Sequence, residues 1–596
     1  MIRRTALLSL LFAVILITIP IEAQEQNPGE PNLEPGKVYS LKELPESWFN
    51  FAFPSRTIWG KNAILCWESF DPGASFGAAV GSLQSEECLV FVLKGPVTLN
   101  PGKDETVLHE TDGIFLEKGS DCNLTSGPDS AELLMIQWPV IPLFVSMNLW
   151  QQKTAPPAAI PPGAEPSVSP GKVLRLREFG MCDMAKNIRG RFIQGKRGQL
   201  CDLIFAPGAV FPPVQASEEE FLYVMQGTLE KTIDGKTVSM QEGTVMYIPV
   251  GIVHGAKAGP YGCRLMALIT PARTAYMEAY KKQSEMIHTL MSPDVKPEVV
   301  VDGAATEPKI TDLAEGPSWI NGKLYFSNQS AGIHVVDSDG SCKLITKGIK
   351  TCGTTTLPNG NLAACDLSQK RIVEVSLEGK IVKTLADSAS GLPAGNPNDI
   401  VSDTKGGFYV TVNDWTGKTE KTDVVVYIDP KGKVLRLTDY RDINFPNGIA
   451  LSPDGSRLFI GSNETVIYVF DVHADGTISN KRPFAYINLG LRQIGRADAK
   501  SFADGMEIDS LGNLYIASQA GIQVFEATGG YIGTIQMPSF ISNLAFGGED
   551  GKTLYVTALG KVYSLKMNVP GQQYPTKNKN KFFPFIHENN NYVPDY

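Results

Sequence analysis

Short apolar runs, some alternating with polar residues and some continuous, are broken at close intervals by Gly, Pro, Asn or Asp along most of this chain. That pattern predicts antiparallel strands joined by tight turns. Residues 445–471, FPNGIALSPDGSRLFIGSNETVIYVFD, show it most clearly. A Pro-Asn-Gly turn leads into a predicted strand at 449–451, a Ser-Pro-Asp-Gly turn at 452–455 follows, and strands are predicted at 458–461 and 466–470. One stretch departs from the rule. Residues 274–291, TAYMEAYKKQSEMIHTLM, contain no Gly or Pro, and Tyr276, Met277, Tyr280, Met286 and Leu290 form a partial apolar stripe at helical spacing. A helix is expected there, packed on the block before it or bridging to the one after.

From residue 315 to 567 one strand-turn-strand pattern recurs with the period of propeller blades. The copies open as EGPSWINGKLYFS at Glu315, GTTTLPNGNLAACD at Gly353 and NDIVSDTKGGFYVT at Asn398. They continue as NGIALSPDGSRLFIG at Asn447, DGMEIDSLGNLYIAS at Asp504 and SNLAFGGEDGKTLYVT at Ser542. Six copies of a three- to four-stranded unit predict a six-bladed β-propeller over 301–568. The first strand of each blade lines the central channel, so the residue opening each copy sits at one mouth. Those residues are Glu315, a Thr/Cys/Gly turn, Asn398, Asn447, Asp504 and Ser542-Asn543. Asn, Asp and Gly are also ordinary turn residues, so none of these positions stands by itself. Jointly the two carboxylates and two carboxamides, Glu315, Asp504, Asn398 and Asn447, form an all-oxygen donor set with no His, Cys or Lys, which suits a hard divalent cation.

The N-terminal half holds two further strand-rich blocks, at 38–150 and 172–273, separated by the Pro-rich connector 154–171 (TAPPAAIPPGAEPSVSPG). A linker containing the helix (274–300) joins them to the repeats, and a polar tail at 569–596 ends the chain. Arg3 and Arg4 precede an apolar run at 6–19 and a small residue at Ala23, as in a secretory signal over 1–23. An exported protein, periplasmic or secreted, is the expectation, with no integral membrane segment once the leader is removed. Nine cysteines without a CxxC spacing give no cysteine zinc site. The net charge of −9 offers no basic face for nucleic acid. Composition is silent on the oligomeric state.

Two resemblances attach to these residues. The second block resembles a cupin: Glu220 stands six residues before Gly227 in EFLYVMQG, and GTVMYIPVGIVH runs from Gly243 to His254. The histidines expected ahead of the glutamate fall on Pro213 and about Gln215, so the candidate ligands there reduce to Gln215, Glu220 and His254. That is too few for an open metal site, and a structural or small-ligand-binding barrel is expected. The first block is similar to a more degraded cupin, outlined by Gly73, Glu87, Gly95 and Gly113, with His109 isolated. The fold class expected is therefore all-β, with two cupin-like β-barrels (double-stranded β-helices) before the propeller.

At EGPSW (Glu315), PND (Asn398), FPNGIALSPDG (Asn447), ADGMEIDSLGNLYIAS (Asp504) and NLAFGGEDGKTLYVTA (Asn543), the chain resembles the senescence-marker-protein/gluconolactonase (luciferin-regenerating-enzyme-like) family. The resemblance implies one divalent cation held by Glu315, Asn447 and Asp504, with Asn398 beside it contacting substrate. Ca²⁺ is the first expectation, with Zn²⁺, Mn²⁺ or Mg²⁺ as alternatives. It also implies metal-assisted opening of sugar-acid lactones, with a carbohydrate-derived small molecule as substrate. Asp504 is the expected base, doubling as ligand, and Asp399 is the second choice. Asn396 stands where members of the family often carry a sugar-gripping arginine, and Arg492 or Arg496 could supply a cation instead. Two other readings remain: phosphoester hydrolysis on the same metal, or a non-catalytic carbohydrate- or sugar-acid-binding protein.

Overall fold

A computed structural model describes residues 33–44, 46–47, 55–76, 86–100, 105–120, 123–138, 166–176, 179–307, 309–414, 422–490 and 493–572. The predicted leader, most of the Pro-rich connector, Arg492 and the tail beyond 572 lie outside these residues.

The repeats fold as six sheets of four antiparallel strands each. In the fourth, the strands expected at 449–451, 458–461 and 466–470 form as Ile449–Leu451, Arg457–Ile460 and Val466–Val472. The first strands of the six sheets are Ala314–Ile320, Thr351–Thr356, Asn396–Ser402, Ile449–Leu451, Met506–Ile508 and Ile541–Gly547. Each touches the first strand of the next sheet, and the sixth touches the first. The sixth sheet takes its outer strand, Glu298–Asp302, from ahead of the first sheet, where it pairs with Lys561–Lys566. The two ends of the repeat region are thus held by the same backbone ladder. Apolar layers between sheets, such as Val401, Tyr409, Ile449 and Leu458 between the third and fourth, bury the faces that a lone sheet would leave wet.

The N-terminal half is β-rich as well, but its strands cross the boundary that the Pro-rich connector suggests. Val38–Ser40 pairs with Thr244–Ile248 in the second block's nine-stranded sheet. Reciprocally, Val173–Arg175 pairs with Asp112–Glu117 of the first block. Two buried glutamates repeat the exchange. Glu87 accepts from the backbone N–H groups of Lys196 and Arg197 at 2.6 and 2.9 Å, and Glu219 accepts from Lys61 and Asn62 at 3.0 and 3.2 Å. The long strands Glu219–Ile233 and Val253–Thr270 pair over most of their length, with bulges near Gln226 and Leu229 that bend the ladder.

The expected helix forms at Thr274–Leu290 and bridges. Met277 and Tyr280 pack into the second block's core, whereas Met286, Ile287 and Leu290 pack against the fifth and sixth sheets. Between them Gln283 accepts from the Asp183 N–H at 2.8 Å and donates to the Tyr531 carbonyl at 2.5 Å. Arg189 lies 4.0 Å from the Tyr531 ring centroid and donates to Asn488. Among the described residues no helix is long and apolar enough to cross a membrane.

Candidate functional site

Each of the six first strands carries one polar or thiol side chain near its start, in four of them beside a slip in the ladder. Register shifts fall at Glu315/Ser318, Thr351/Thr354, Pro397/Ile400 and Ile541/Asn543, and Asn447 and Asp504 sit just ahead of the shortest first strands. A slip leaves one residue out of the pleat and turns its side chain toward the neighbouring strands. The next residue is glycine in four of the six cases, because the strands come too close for a side chain. A Cβ on Gly448 would lie 1.9 Å from the Asp504 carbonyl oxygen, and one on Gly505 would lie 2.0 Å from Asn543 Cγ.

Glu315, Asn398, Asn447, Asp504 and Asn543, with Cys352 from the second sheet, are therefore brought together although far apart in sequence. All six are buried. The Cys352 thiol donates to Asn398 Oδ1 at 3.0 Å, and Asn398 Nδ2 donates to Asn447 Oδ1 at 2.6 Å. Asn447 in turn bonds the Asp504 carboxylate. Asn543 Nδ2 reaches Glu315 Oε2 at 3.2 Å and Asp399 Oδ1 at 3.3 Å, and its own Oδ1 accepts from the Leu544 N–H. Asp399 occupies the position that is glycine in four sister copies. Its Oδ2 accepts from the Ile449 N–H at 3.2 Å, so both of its oxygens are engaged. Thr411, fully buried, ties the layer together by donating to the Asn447 carbonyl and accepting from the Asp399 N–H.

Burial dominates the electrostatics. It pushes the Asp399 carboxyl up to about 6 and that of Glu507, a further carboxylate on the fifth first strand, up to about 8. Glu315 and Asp504 are raised by burial and then by the negative charges of their neighbours, Asp399 on Glu315, and Glu315 and Asp399 on Asp504. The charges acting most strongly on this set are one another's, and none is cationic. Four carboxylates cannot all ionise at this depth without a compensating positive charge.

The donor set fits a hard divalent cation on those grounds. Among the described residues no three His, Cys, Asp or Glu side chains gather at metal-binding spacing. The candidate set is instead two carboxylates completed by carboxamides, a mixture ordinary for oxygen-coordinated cations. Glu315, Asn447 and Asp504 are the residues that would hold it, with Asn398 adjacent.

Other predicted residues fall elsewhere. Asn396 is half-buried at the start of its strand, two residues from Asn398. Arg496 is exposed and paired with Asp498, so it supplies no cation to the ring. Glu507 and Cys352 were not singled out as site residues. A carboxylate inside the short apolar run MEI was the available signal for Glu507, whereas Cys352 has none beyond its place in the repeat.

In the second block Glu220 and His254 meet, Nε2 to Oε1 at 3.9 Å, but Gln215 does not join them. It is exposed and donates to the Gly251 carbonyl. The partners that the sequence reading missed are cations. Lys231 Nζ lies 2.6 Å from His254 Nδ1, and Arg273 donates to Glu220 Oε1 at 3.0 Å.

Residues 313–560 match the family model of the SMP-30/Gluconolactonase/LRE-like region, and residues 202–262 match that of the cupin domain. The chain is 27% identical over 296 residues to the gluconolactonase of Zymomonas mobilis, covering 43% of this chain and 79% of that protein. It is 26% identical over 264 residues to the pentonolactonase XacC of Haloferax volcanii, covering 42% and 82%. A solved gluconolactonase of Xanthomonas campestris aligns at 21% identity over 47% of this chain and 92% of its own, with a TM-score of 0.41. The chain thus carries a cupin domain followed by an SMP-30/gluconolactonase-like region.

Proposed function

We propose that the six sheets close into a six-bladed propeller whose channel holds one divalent cation, Ca²⁺ in the first instance, and that the protein opens a lactone ring there. The observation that carries this reading is the buried set Glu315, Asp399 and Asp504, with the half-buried Glu507 on the first strand of Asp504's blade, carboxyl groups whose strongest neighbouring charges are their own. It lies in a region similar to several curated lactonases. Glu315, Asn447 and Asp504 are the ligands and Asn398 the substrate contact. When bound, the cation polarises the lactone carbonyl and offsets the charge of its oxyanion.

The protein's own groups supply the rest. Asp504 takes a proton from the attacking water as the water oxygen bonds to the carbonyl carbon. The ring C–O bond then breaks and its oxygen leaves with a proton as a hydroxyl, giving the open hydroxy acid. Asp504 can act as a base only when ionised, and burial beside Glu315 and Asp399 opposes ionisation. The reading therefore ties activity to the cation. Asp399, with both oxygens bonded, holds Asn543 and the Ile449 backbone in place rather than touching substrate. Asn398 is locked between the Cys352 thiol and Asn447 and aims a fixed amide.

With asparagine rather than arginine at 396, the substrate grip rests on neutral amides, which favours an uncharged sugar lactone over a phosphorylated one. The charged leader sequence supports export, so the substrate would be met outside the cytoplasm. Base uptake by purified protein on a panel of sugar-acid lactones, with and without chelator, tests the reading. Binding of sugar acids with no base uptake on any lactone would leave the protein a binding module instead.

A further inference from the structure

The cupin domain encloses a second polar cluster, distinct from the channel. A cavity of about 40 Å³ lies inside it, walled by apolar side chains such as Ile188, Leu203, Leu222 and Leu265, with Glu220, Lys231, His254 and Arg273 at one end. That volume holds about three water molecules, or one molecule of three to five heavy atoms. Phe211 and Val214, half-buried on the exposed strand Val210–Gln215, form part of the wall nearest solvent.

The hydrogen bonding at the polar end is incomplete in one direction only. Lys231, 3% exposed, donates to His254 Nδ1, which leaves the imidazole proton on Nε2. Burial and the charges of Lys231 and Arg273 push the imidazole down to about 3, so it is neutral. Its Nε2–H is buried and has no hydrogen-bond partner, since Glu220 Oε1 at 3.9 Å is too far. A buried donor left in this way is a free-energy cost that a bound acceptor would remove. A cation would meet a protonated Nε2 and an adjacent ammonium, so these residues do not suit a metal. An acceptor would satisfy the Nε2–H, and the Lys231 ammonium has further N–H groups to offer it. Arg273 is already paired with both Glu218 and Glu220, whereas Lys231 has no carboxylate at ion-pairing distance among the described residues and is the positive charge that an anion in the cavity would meet.

We propose that the cupin domain binds the carboxylate of a short aliphatic acid in this cavity, with the Lys231 ammonium and the His254 Nε2–H as its donors. The ligand's alkyl end faces the apolar wall, which offers nothing to the hydroxyl groups of a sugar acid. The site is thus distinct in chemistry from the product of the proposed lactone opening.

Ligand-observed saturation transfer on the full chain, with propionate as the probe and gluconate as the comparison, tests this. Transfer to the propionate methyl group is expected, and none to gluconate. Lys231→Met should weaken propionate at least about tenfold, the loss of one charge-assisted contact, while lactone opening stays as in the wild type. Should that variant fail to fold, Ala256→Val, which fills the cavity without touching a charge, should abolish the transfer. Absence of transfer with the wild-type protein at millimolar propionate overturns the proposal, as does equal transfer with either variant. A metal ion that stays bound in Asp504→Asn and is lost in His254→Ala also overturns it.

Discussion

The protein buries two polar clusters of opposite character inside β-sheet walls. In the repeat region, Glu315, Asp399, Asp504 and Glu507 act on one another with no cationic side chain among their strongest neighbours. In the cupin cavity, Glu220 faces Lys231 and Arg273, so the counter-charge is built into the chain. The difference decides what each can bind. A set of like charges retains protons until a cation displaces them, whereas a set with its own ammonium has donors to offer and repels a cation.

The contrast breaks most sharply at Asp504 and Glu315. Asp504→Asn is expected to lower lactone opening at least about 10²–10³-fold, the scale of removing one preorganised electrostatic group. Glu315→Gln should do the same and should also lose the stoichiometric cation, read by elemental analysis. Lys231→Met should change neither. A smaller effect is expected at Asn398→Ala, a loss of about tenfold to a hundredfold in kcat/KM, since the amide orients substrate without carrying charge.

Gly448→Ala forces a Cβ to within 1.9 Å of the Asp504 carbonyl oxygen. It should destabilise the protein by about 1–3 kcal/mol in chemical denaturation.

The charge sets also separate by pH. The folded repeat region should keep protons that the unfolded chain releases near pH 4, because burial pushes the Asp399 and Glu507 carboxyls up to about 6 and about 8. Between those limits the folded state binds more protons than the unfolded one, so the stability of the metal-free protein should fall as pH rises from about 4 to 8. Added Ca²⁺ should reverse the fall, by about 2.7 kcal/mol at a hundredfold excess over Kd, and binding should release protons. A flat stability profile for the metal-free protein over this range would contradict the account of the carboxylates. Asp399→Asn removes one of the buried charges and should flatten the profile, with only a modest loss of activity.

The repeat pattern made the sheets legible, because each copy carries its own turns and strands within a short window. Residues 449–451 were placed to the residue, and the helix at 274–291 ended one residue early. The channel residues were legible for the same reason, since Glu315, Asn398, Asn447 and Asp504 occupy one position of the repeat. Asp399 was named as a second base, but its role depends on what lies across the strands. Its contacts with Asn543 and Ile449 are tertiary and leave no local mark. The cupin cluster was half legible: Glu220 and His254 belong to a recognisable motif. Lys231 reaches His254 through a diagonal pairing of two long strands, Lys231 opposite Ala256 and His254 opposite Ile233. A lysine in LEKTIDGKT looks like any exposed strand residue until that register is known. The strand exchange of Val38–Ser40 and Val173–Arg175 was hidden likewise, since short strands carry no information about which sheet receives them.

The central claim is that lactone opening depends on a cation held by the channel carboxylates. Its most direct test is the rate of acid release from a sugar-acid lactone by chelator-treated protein as Ca²⁺ is titrated in. The account predicts a rate near background that rises to a plateau at one equivalent of cation, and no rise in Asp504→Asn. A chelated protein that opens the lactone at the plateau rate, or an Asp504→Asn variant that matches the wild type, would contradict it.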